Sequence, residues 1–250
     1  EQGALDIMKD PDFKNIEPDF IFALHNIPGV PRHRVLLKEG SFAAASRGMT
    51  IRLTGKTSHA GEPEKGINPA NAVAKIISGL RQVNEDPSRF RDVTFSTVIH
   101  ILLGEISFGT SPGYAEVRVT LRAFENGDME LLIREAEEMV AGIAREERLD
   151  HEISYCEIFP ATVNDRTCVE WIRQSALEQD LPVEYLENPF RWSEDFGYYT
   201  EKYKGGYFGL GAGEDLPALH NPDYDFPDEL IGTGAGLFYS IYRKIFFNNQ

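Results

Sequence analysis

The chain has 250 residues, 42% of them hydrophobic, so it can bury a sizeable core in one large domain or two ordinary ones. Its net charge of −15 is spread along the length and repels nucleic-acid phosphates and anionic lipid, so we expect neither partner. No window approaches the ~20 apolar residues of a membrane-spanning helix, and we expect no secretory signal at the start.

Two continuous apolar runs predict strands near the two ends of the chain. They are residues 20–24 (FIFAL) and 206–210 (GYFGL), and such runs are typical of strands buried on both faces. Helices are predicted at residues 166–179 and from 228 to about 245. We therefore expect residues 1–47 and 159–250 to form one α/β domain.

The segment between these parts, residues 48–158, is predicted to form a separate inserted unit. Period-two alternation predicts its strands and a 3.6-residue period predicts its helices. Asn68 suits the N-cap of the first helix and Pro69 its first position. The predicted strands are 49–54, 93–103, 114–124 and 152–159, with helices after residue 69 and at 131–148. The order β-α-β-β-α-β is the split, ferredoxin-like arrangement.

The tripeptide Leu-His-Asn occurs twice, around His25 and His220, each time in a short polar break before a proline. The insertion returns both histidines to the same α/β domain, where we expect each to follow a buried strand at its carboxyl end. That edge is where α/β sheets bind ligands. Imidazole is the commonest protein ligand for zinc and similar metals. Two loop histidines with structural roles are the alternative, because a zinc site needs ~3 to 4 protein ligands.

Other chemistries find little support in the sequence. There is no G-x-S-x-G elbow and no phosphate loop, and residues 209–213 (GLGAG) lack dinucleotide-binding spacing. Cys156 and Cys168, the only cysteines, have no CxxC spacing. We expect two reduced thiols in a cytoplasmic protein.

Several segments together resemble the M20 metallopeptidases, and most closely their aminoacylase and amidohydrolase branch, which includes hippurate hydrolases. The segments are residues 24–29 (LHNIPG), 55–63 (GKTSHAGEP), 66–69 (GINP), 193–196 (SEDF), 211–213 (GAG) and 219–226 (LHNPDYDF). The resemblance covers essentially the whole chain. It implies a catalytic α/β domain with two divalent metal ions (Zn or Mn, or else Co or Ni) and an inserted lid that forms a homodimer. The implied reaction is cleavage of an amide bond in N-acyl amino acids or short peptides by a metal-activated water.

The resemblance also implies roles for individual residues. His25 and His220 match metal ligands. His59 matches the lid histidine that stabilises the oxyanion of the tetrahedral intermediate, worth on the order of 10²–10³ in rate. Without the motif, His59 would be taken for a solvated loop residue.

Substrate contacts are implied at Arg122, which suits a carboxylate because of its planar fork of donors, and at Gly211 and Gly213. For Arg122 the alternative is a surface arginine paired with Glu116 or Glu125. Asp195 is expected to orient a metal ligand without binding the metal itself, or to stabilise a helix N-terminus. A simple helix cap is the alternative. Gly109 stands where many relatives carry Asn, so Thr110 or Ser111 would have to supply any donor there.

The remaining ligands of the family lie upstream: a His-x-Asp segment, a Gly-His-Asp segment, and a Glu-Glu pair whose end lies near Glu1. We therefore expect this chain to be the later part of such an enzyme, without ~100 or more residues, and to be inactive by itself. The alternative is a non-catalytic module that dimerises through the lid.

Overall fold

A computed structural model of the chain describes residues 3–85 and 87–247. The α-helices of these residues are α1 Gly3–Lys9, α2 Ala70–Glu85, α3 Asn126–Glu146, α4 Arg166–Leu177, α5 Gly197–Lys202 and α6 Glu229–Phe247. Their strands are β1 Phe20–Pro28, β2 Val35–Leu37, β3 Gly40–Ala43, β4 Ala45–Thr54, β5 Ser58–His59, β6 Thr94–Leu103, β7 Thr110–Ser111, β8 Tyr114–Ala123, β9 Asp150–Phe159, β10 Thr162–Asn164, β11 Val183–Tyr185 and β12 Lys204–Gly213.

The chain divides into two compact units, residues 1–44 with 160–250, and residues 45–159. We call them the outer unit and the inserted unit. The sequence had suggested residues 48–158 for the insertion. The mixed α/β class is confirmed, whereas the names catalytic domain and lid stay predictions.

The outer unit is built on a four-stranded sheet in the order β1-β12-β2-β11. β1 runs parallel to β12, and β2 runs antiparallel to β12. β12 is buried on both faces, as predicted for residues 206–210. Phe208 and Leu210 of β12 belong to a core that includes Ile172 of α4 and Leu237 of α6. Tyr207 belongs to a second, aromatic cluster.

The prediction that β1 is buried on both faces is wrong. β1 forms one edge of the described sheet, and of its residues only Ile27 is fully buried. Phe20 and Phe22 instead lie half-buried with Trp171, whose ring centroid is 4.9 Å from that of Phe20. An apolar run shows that a strand contacts a core, but it does not distinguish a central strand from an edge strand.

The inserted unit has the predicted β-α-β-β-α-β order, with a four-stranded antiparallel sheet arranged β6-β8-β4-β9. α2 and α3 pack on one face of this sheet, where Val117, Val119 and Leu121 are completely buried. The predicted cap of α2 is confirmed, because Asn68 Oδ1 accepts the Ala70 N–H at 2.9 Å.

Both cysteines are free, as predicted. Cys156 is exposed and Cys168 is buried, and burial raises the pKa of the Cys168 thiol to about 12. The described helices include none that is long and apolar enough to cross a bilayer.

Candidate functional site

His25 lies inside β1, beside Gly209 of β12, with a quarter of its side chain exposed. Its Nδ1 is 2.7 Å from the carbonyl oxygen of Asn26. A carbonyl oxygen only accepts hydrogen bonds, so Nδ1 carries the proton and the neutral ring keeps its lone pair on Nε2. Nε2 is 3.7 Å from Glu194 Oε1, and the ring centroid is 5.3 Å from that of Trp192. This orientation presents the nitrogen that could bind a cation.

The two Leu-His-Asn segments are joined by a hydrogen bond. Asn26 Nδ2, next to His25, donates to the hydroxyl oxygen of Tyr224, and the Tyr224 N–H donates to Asn221 O at 3.0 Å. The loop that carries His220 is therefore tied to β1. His220 itself is exposed, in a turn, with a φ of 68°, a conformation that few non-glycine residues adopt.

These donors do not by themselves make a metal site. Nowhere in residues 3–85 and 87–247 do three or more His, Cys, Asp or Glu side chains lie close enough to hold one ion. His25 and Glu194 converge as a pair, and a structural or catalytic zinc takes ~3 to 4 protein ligands. The described residues therefore do not fit a metal ion, and Glu1 lies outside them. The ligand roles of His25 and His220 remain predictions.

Gly211 and Gly213 lie at the end of β12, where they contact the loop that follows β1, and their predicted contact with substrate stays a prediction. Gly211 is buried, and a Cβ there would meet the Pro31 carbonyl oxygen at 2.0 Å. Gly213 has a φ of 136°, which favours glycine. Its carbonyl accepts the Gly29 N–H at 2.8 Å and its N–H donates to Val30 O at 2.9 Å.

We expect Gly211→Ala to lower the free energy of unfolding by about 1–3 kcal/mol, because the new methyl overpacks a closed backbone contact. Urea denaturation would measure it. Gly232→Ala on α6 is the matched control, since a Cβ there meets nothing within 4 Å and stability should not fall. Unchanged stability with a raised KM in Gly211→Ala would instead favour the substrate-contact role.

Asp195 serves as a helix cap. Its Oδ2 accepts the Ala4 N–H at 2.9 Å, near the start of α1. The residue before it, Glu194, faces His25. One short segment thus connects α1 to the predicted metal ligand. The supporting role of Asp195 at a metal stays a prediction.

His59 lies on the exposed two-stranded ladder that β5 forms with β7, paired with Thr110. Its Nδ1 accepts the Gly61 N–H at 3.0 Å. A backbone N–H only donates, so Nδ1 is the unprotonated nitrogen and the neutral ring carries its proton on Nε2. The turn therefore presents an Nε2–H donor. In the same loop Ser111 Oγ accepts from Asn68 Nδ2 at 3.1 Å and Thr110 is exposed.

Arg122 is half-buried on β8, on the sheet face that also carries Glu116 and Arg118. Glu116 accepts from Arg118 Nε at 2.6 Å and from Arg52 Nε at 3.1 Å. These bonds, with Arg118 contributing most, lower the pKa of the Glu116 carboxyl. The hydrogen bonds described for Glu116 thus come from two other arginines and from the Tyr114 hydroxyl at 3.3 Å, and the role of Arg122 stays a prediction.

Sequence reasoning assigned no individual role to three residues that contact β1 at His25 or Asn26. Glu194 and Tyr224 were noted only as members of motif segments, and Trp192 was not singled out. Their contacts with β1 come from residues more than 160 positions away along the chain. The only signal available was that Glu194 and Tyr224 lie within the SEDF and LHNPDYDF segments and that Trp192 directly precedes the first of them.

The fold defines a mixed α/β protein interrupted by a ferredoxin-like unit, with paired histidine segments in one part and a histidine turn in the other. A family model described as peptidase family M20/M25/M40 matches residues 1–244, and the chain belongs to this family. The resemblance seen in the motifs is confirmed at this level.

Among curated relatives, the Campylobacter jejuni hippurate hydrolase is 28% identical over 97% of this chain and 63% of its own length. The Bacillus subtilis N-acetyldiaminopimelate deacetylase is 27% identical over 97% of this chain and 65% of its own length. The chain thus spans less than two thirds of the length of these relatives.

Solved structures share the fold. A Bacillus subtilis protein described as a dinuclear metal binding peptidase of family M20 has a TM-score of 0.77 and 21% identity, covering 95% of this chain and 60% of that one. A Klebsiella pneumoniae aminobenzoyl-glutamate utilization protein has a TM-score of 0.71 and 18% identity, covering 90% of this chain and 55% of that one.

Proposed function

We propose that the full-length protein hydrolyses the amide bond of N-acyl amino acids or short peptides. Membership of the M20 family supports this function, as does similarity to a hippurate hydrolase and to N-acetyldiaminopimelate deacetylases. These names denote removal of an acyl group from the nitrogen of an amino acid.

The observation that carries the proposal is the orientation of the His59 ring. Because Gly61 donates to Nδ1, the neutral ring presents Nε2–H as a donor. When water adds to an amide carbonyl, negative charge develops on the carbonyl oxygen, and a donor held in place there stabilises the transition state. His59 is proposed to be this donor.

Arg122 is proposed to bind the carboxylate of the amino-acid part. A guanidinium offers two parallel N–H donors to a carboxylate, which fixes the orientation of the substrate as well as its charge. A carboxylate bound by Arg122 would position the scissile amide bond next to the Nε2–H donor of His59. Such positioning can contribute several orders of magnitude in rate.

A divalent metal would activate the attacking water by lowering its pKa. His25 and His220 are proposed ligands to one or both of two such ions, Zn or Mn or else Co or Ni, in the full-length protein. The described residues alone do not fit an ion.

The proposal is tested by assaying the full-length protein and the 250-residue chain side by side. We expect the metal-supplemented full-length protein to release amino acid from N-acetyl and N-benzoyl substrates, and a chelator to abolish turnover. The 250-residue chain is expected to show no turnover. If the full-length protein is also inactive on every substrate, the hydrolase proposal is wrong and a non-catalytic, dimerising module is left.

A homodimer through the inserted unit is the second part of the proposal. β6 forms one edge of the described sheet, and its ten residues (TFSTVIHILL) include no Asp, Glu, Lys or Arg. Ile99 is 63% exposed, and Ile101, Leu102 and Leu103 are each at least 40% exposed. Natural proteins rarely leave a long, apolar strand edge uncovered.

The other edge of the same sheet contrasts with β6. β9 carries Asp150, Glu152 and Glu157, and charged side chains discourage pairing with another strand. An antiparallel pair of β6 strands from two copies satisfies a two-fold axis, the commonest symmetry of homodimers. The charge pattern therefore favours β6 over β9 as the interface.

A further inference from the structure

Two bulky apolar side chains, Ile106 and Phe108, project fully into solvent from the loop between β6 and β7, with relative exposures of 105% and 103%. Single exposed apolar residues are common on proteins, but two fully exposed ones in one short loop form a feature that usually marks a contact surface. Nothing within the described inserted unit covers them.

The loop is held in place by hydrogen bonds at its base and along its returning arm. Its base is closed by the Gly104 N–H, which donates to Tyr114 O at 3.0 Å. Its returning arm pairs with the histidine turn: Thr110 lies opposite His59 in the β5–β7 ladder, and the Ala60 N–H donates to Gly109 O at 3.0 Å. Ser107 Oγ and Thr110 Oγ1 are 3.2 Å apart across the tip. The loop and His59 therefore form one hydrogen-bonded element.

We propose that Ile106 and Phe108 contact the acyl group of the substrate and favour acyl groups that are bulky and apolar. This inference rests on the proposed function, in which His59 donates to the carbonyl oxygen. The acyl group is bonded to that same carbonyl carbon. Phe108 lies in a turn two residues before Thr110, the partner of His59, so the two Cα atoms are at most about 7 Å apart. A side chain on the same element is thus held near the acyl part.

The chemistry of the loop argues against the amino-acid end of the substrate. That end carries a carboxylate, and apolar side chains would strip water from the charge without replacing it. The hydrogen bonds of the loop also argue against a role in joining two copies through β6, because they run to the His59 turn rather than to the strand edge. Contact with an acyl group fits both observations.

The test uses the full-length protein and three substrates: N-benzoylglycine, N-acetylglycine and N-acetylphenylalanine. The wild type is expected to prefer N-benzoylglycine to N-acetylglycine in kcat/KM. Phe108→Ala is expected to lower that ratio by about 10-fold or more, the usual effect of losing apolar contact with a substrate. Ile106→Ala should lower it in the same direction, and Phe108→Leu, which stays apolar, should retain most of it. Phe246→Ala, another exposed phenylalanine (62%) on α6, should leave it unchanged.

The outcomes separate this inference from the proposed function. A wild-type protein that hydrolyses none of the substrates contradicts both the proposed function and the acyl contact. An active wild type without a preference for the benzoyl group, or with a ratio that Phe108→Ala does not change, removes only the acyl contact. The acyl contact is also contradicted if Phe108→Ala changes the ratio of kcat/KM between N-acetylglycine and N-acetylphenylalanine, because that ratio reports on the amino-acid part. It is likewise contradicted if Phe108→Ala dissociates the dimer and leaves the ratio between N-benzoylglycine and N-acetylglycine unchanged.

Discussion

Replacing His59 with asparagine or alanine in the full-length protein is expected to lower the kcat of the proposed hydrolysis by about 100-fold or more. Removing one preorganised donor to an oxyanion has an effect of that size. The asparagine oxygen can still accept the Gly61 N–H that now donates to Nδ1 at 3.0 Å, so the turn is preserved while the Nε2–H donor is lost. Steady-state kinetics on an N-acyl amino acid would measure the change.

His151→Ala is the matched control, since His151 is another exposed histidine of the inserted unit, on β9. Its kcat should equal that of the wild type. Bound metal, measured by mass spectrometry, should be the same in all the variants, because His59 is not a proposed ligand. If kcat falls in His59→Ala but not in His59→Asn, the histidine stabilises the turn and takes no part in the reaction. An unaltered kcat in both would remove it entirely.

Ile99→Lys and Ile101→Lys, made singly, are each expected to raise the dissociation constant of the homodimer by about 100-fold or more. Both side chains lie on β6, exposed by 63% and 44%. In a pair of β6 strands related by a two-fold axis, each lysine would enter the interface twice, and placing like charges together costs several kcal/mol. Light scattering during gel filtration, across a range of concentrations, would measure the mass.

Leu177→Lys, at a half-exposed apolar position on α4 in the outer unit, provides the control and should leave the mass unchanged. A wild type that is monomeric at every concentration would contradict the homodimer. Lysine variants that remain dimeric would keep the homodimer but move its interface away from β6.

Elements whose signals are local were predicted well. The alternation along residues 114–124 predicted a strand with one buried face, and β8 has Val117, Val119 and Leu121 buried under α2 and α3. The Asn-Pro pair predicted the start of α2, and the Asn68 cap is there. Periodicity and capping depend on neighbours within one or two turns, so a sequence expresses them directly.

Features that depend on distant pairing were not predictable. Residues 20–24 and 206–210 are both continuous apolar runs. The first lies in β1, at an edge of the described sheet, and the second lies in β12, between two other strands. The convergence of Glu194 and Trp192 on His25 likewise has no local sequence signal.

Periodicities, caps and ordered motifs are local properties of the chain, and they predicted the longer helices and strands, the insertion of one unit into another and the M20 family. The folded structure was needed to show which nitrogen of His25 and of His59 can meet a ligand, which strand lies at an edge of the described sheet, and that Gly211 has no room for a side chain. The edge position of β1 and the lack of room at Gly211 arise from pairing and contacts between residues far apart in sequence. The two ring orientations arise from bonds to residues one and two positions away, whose geometry depends on a backbone conformation that periodicity does not express.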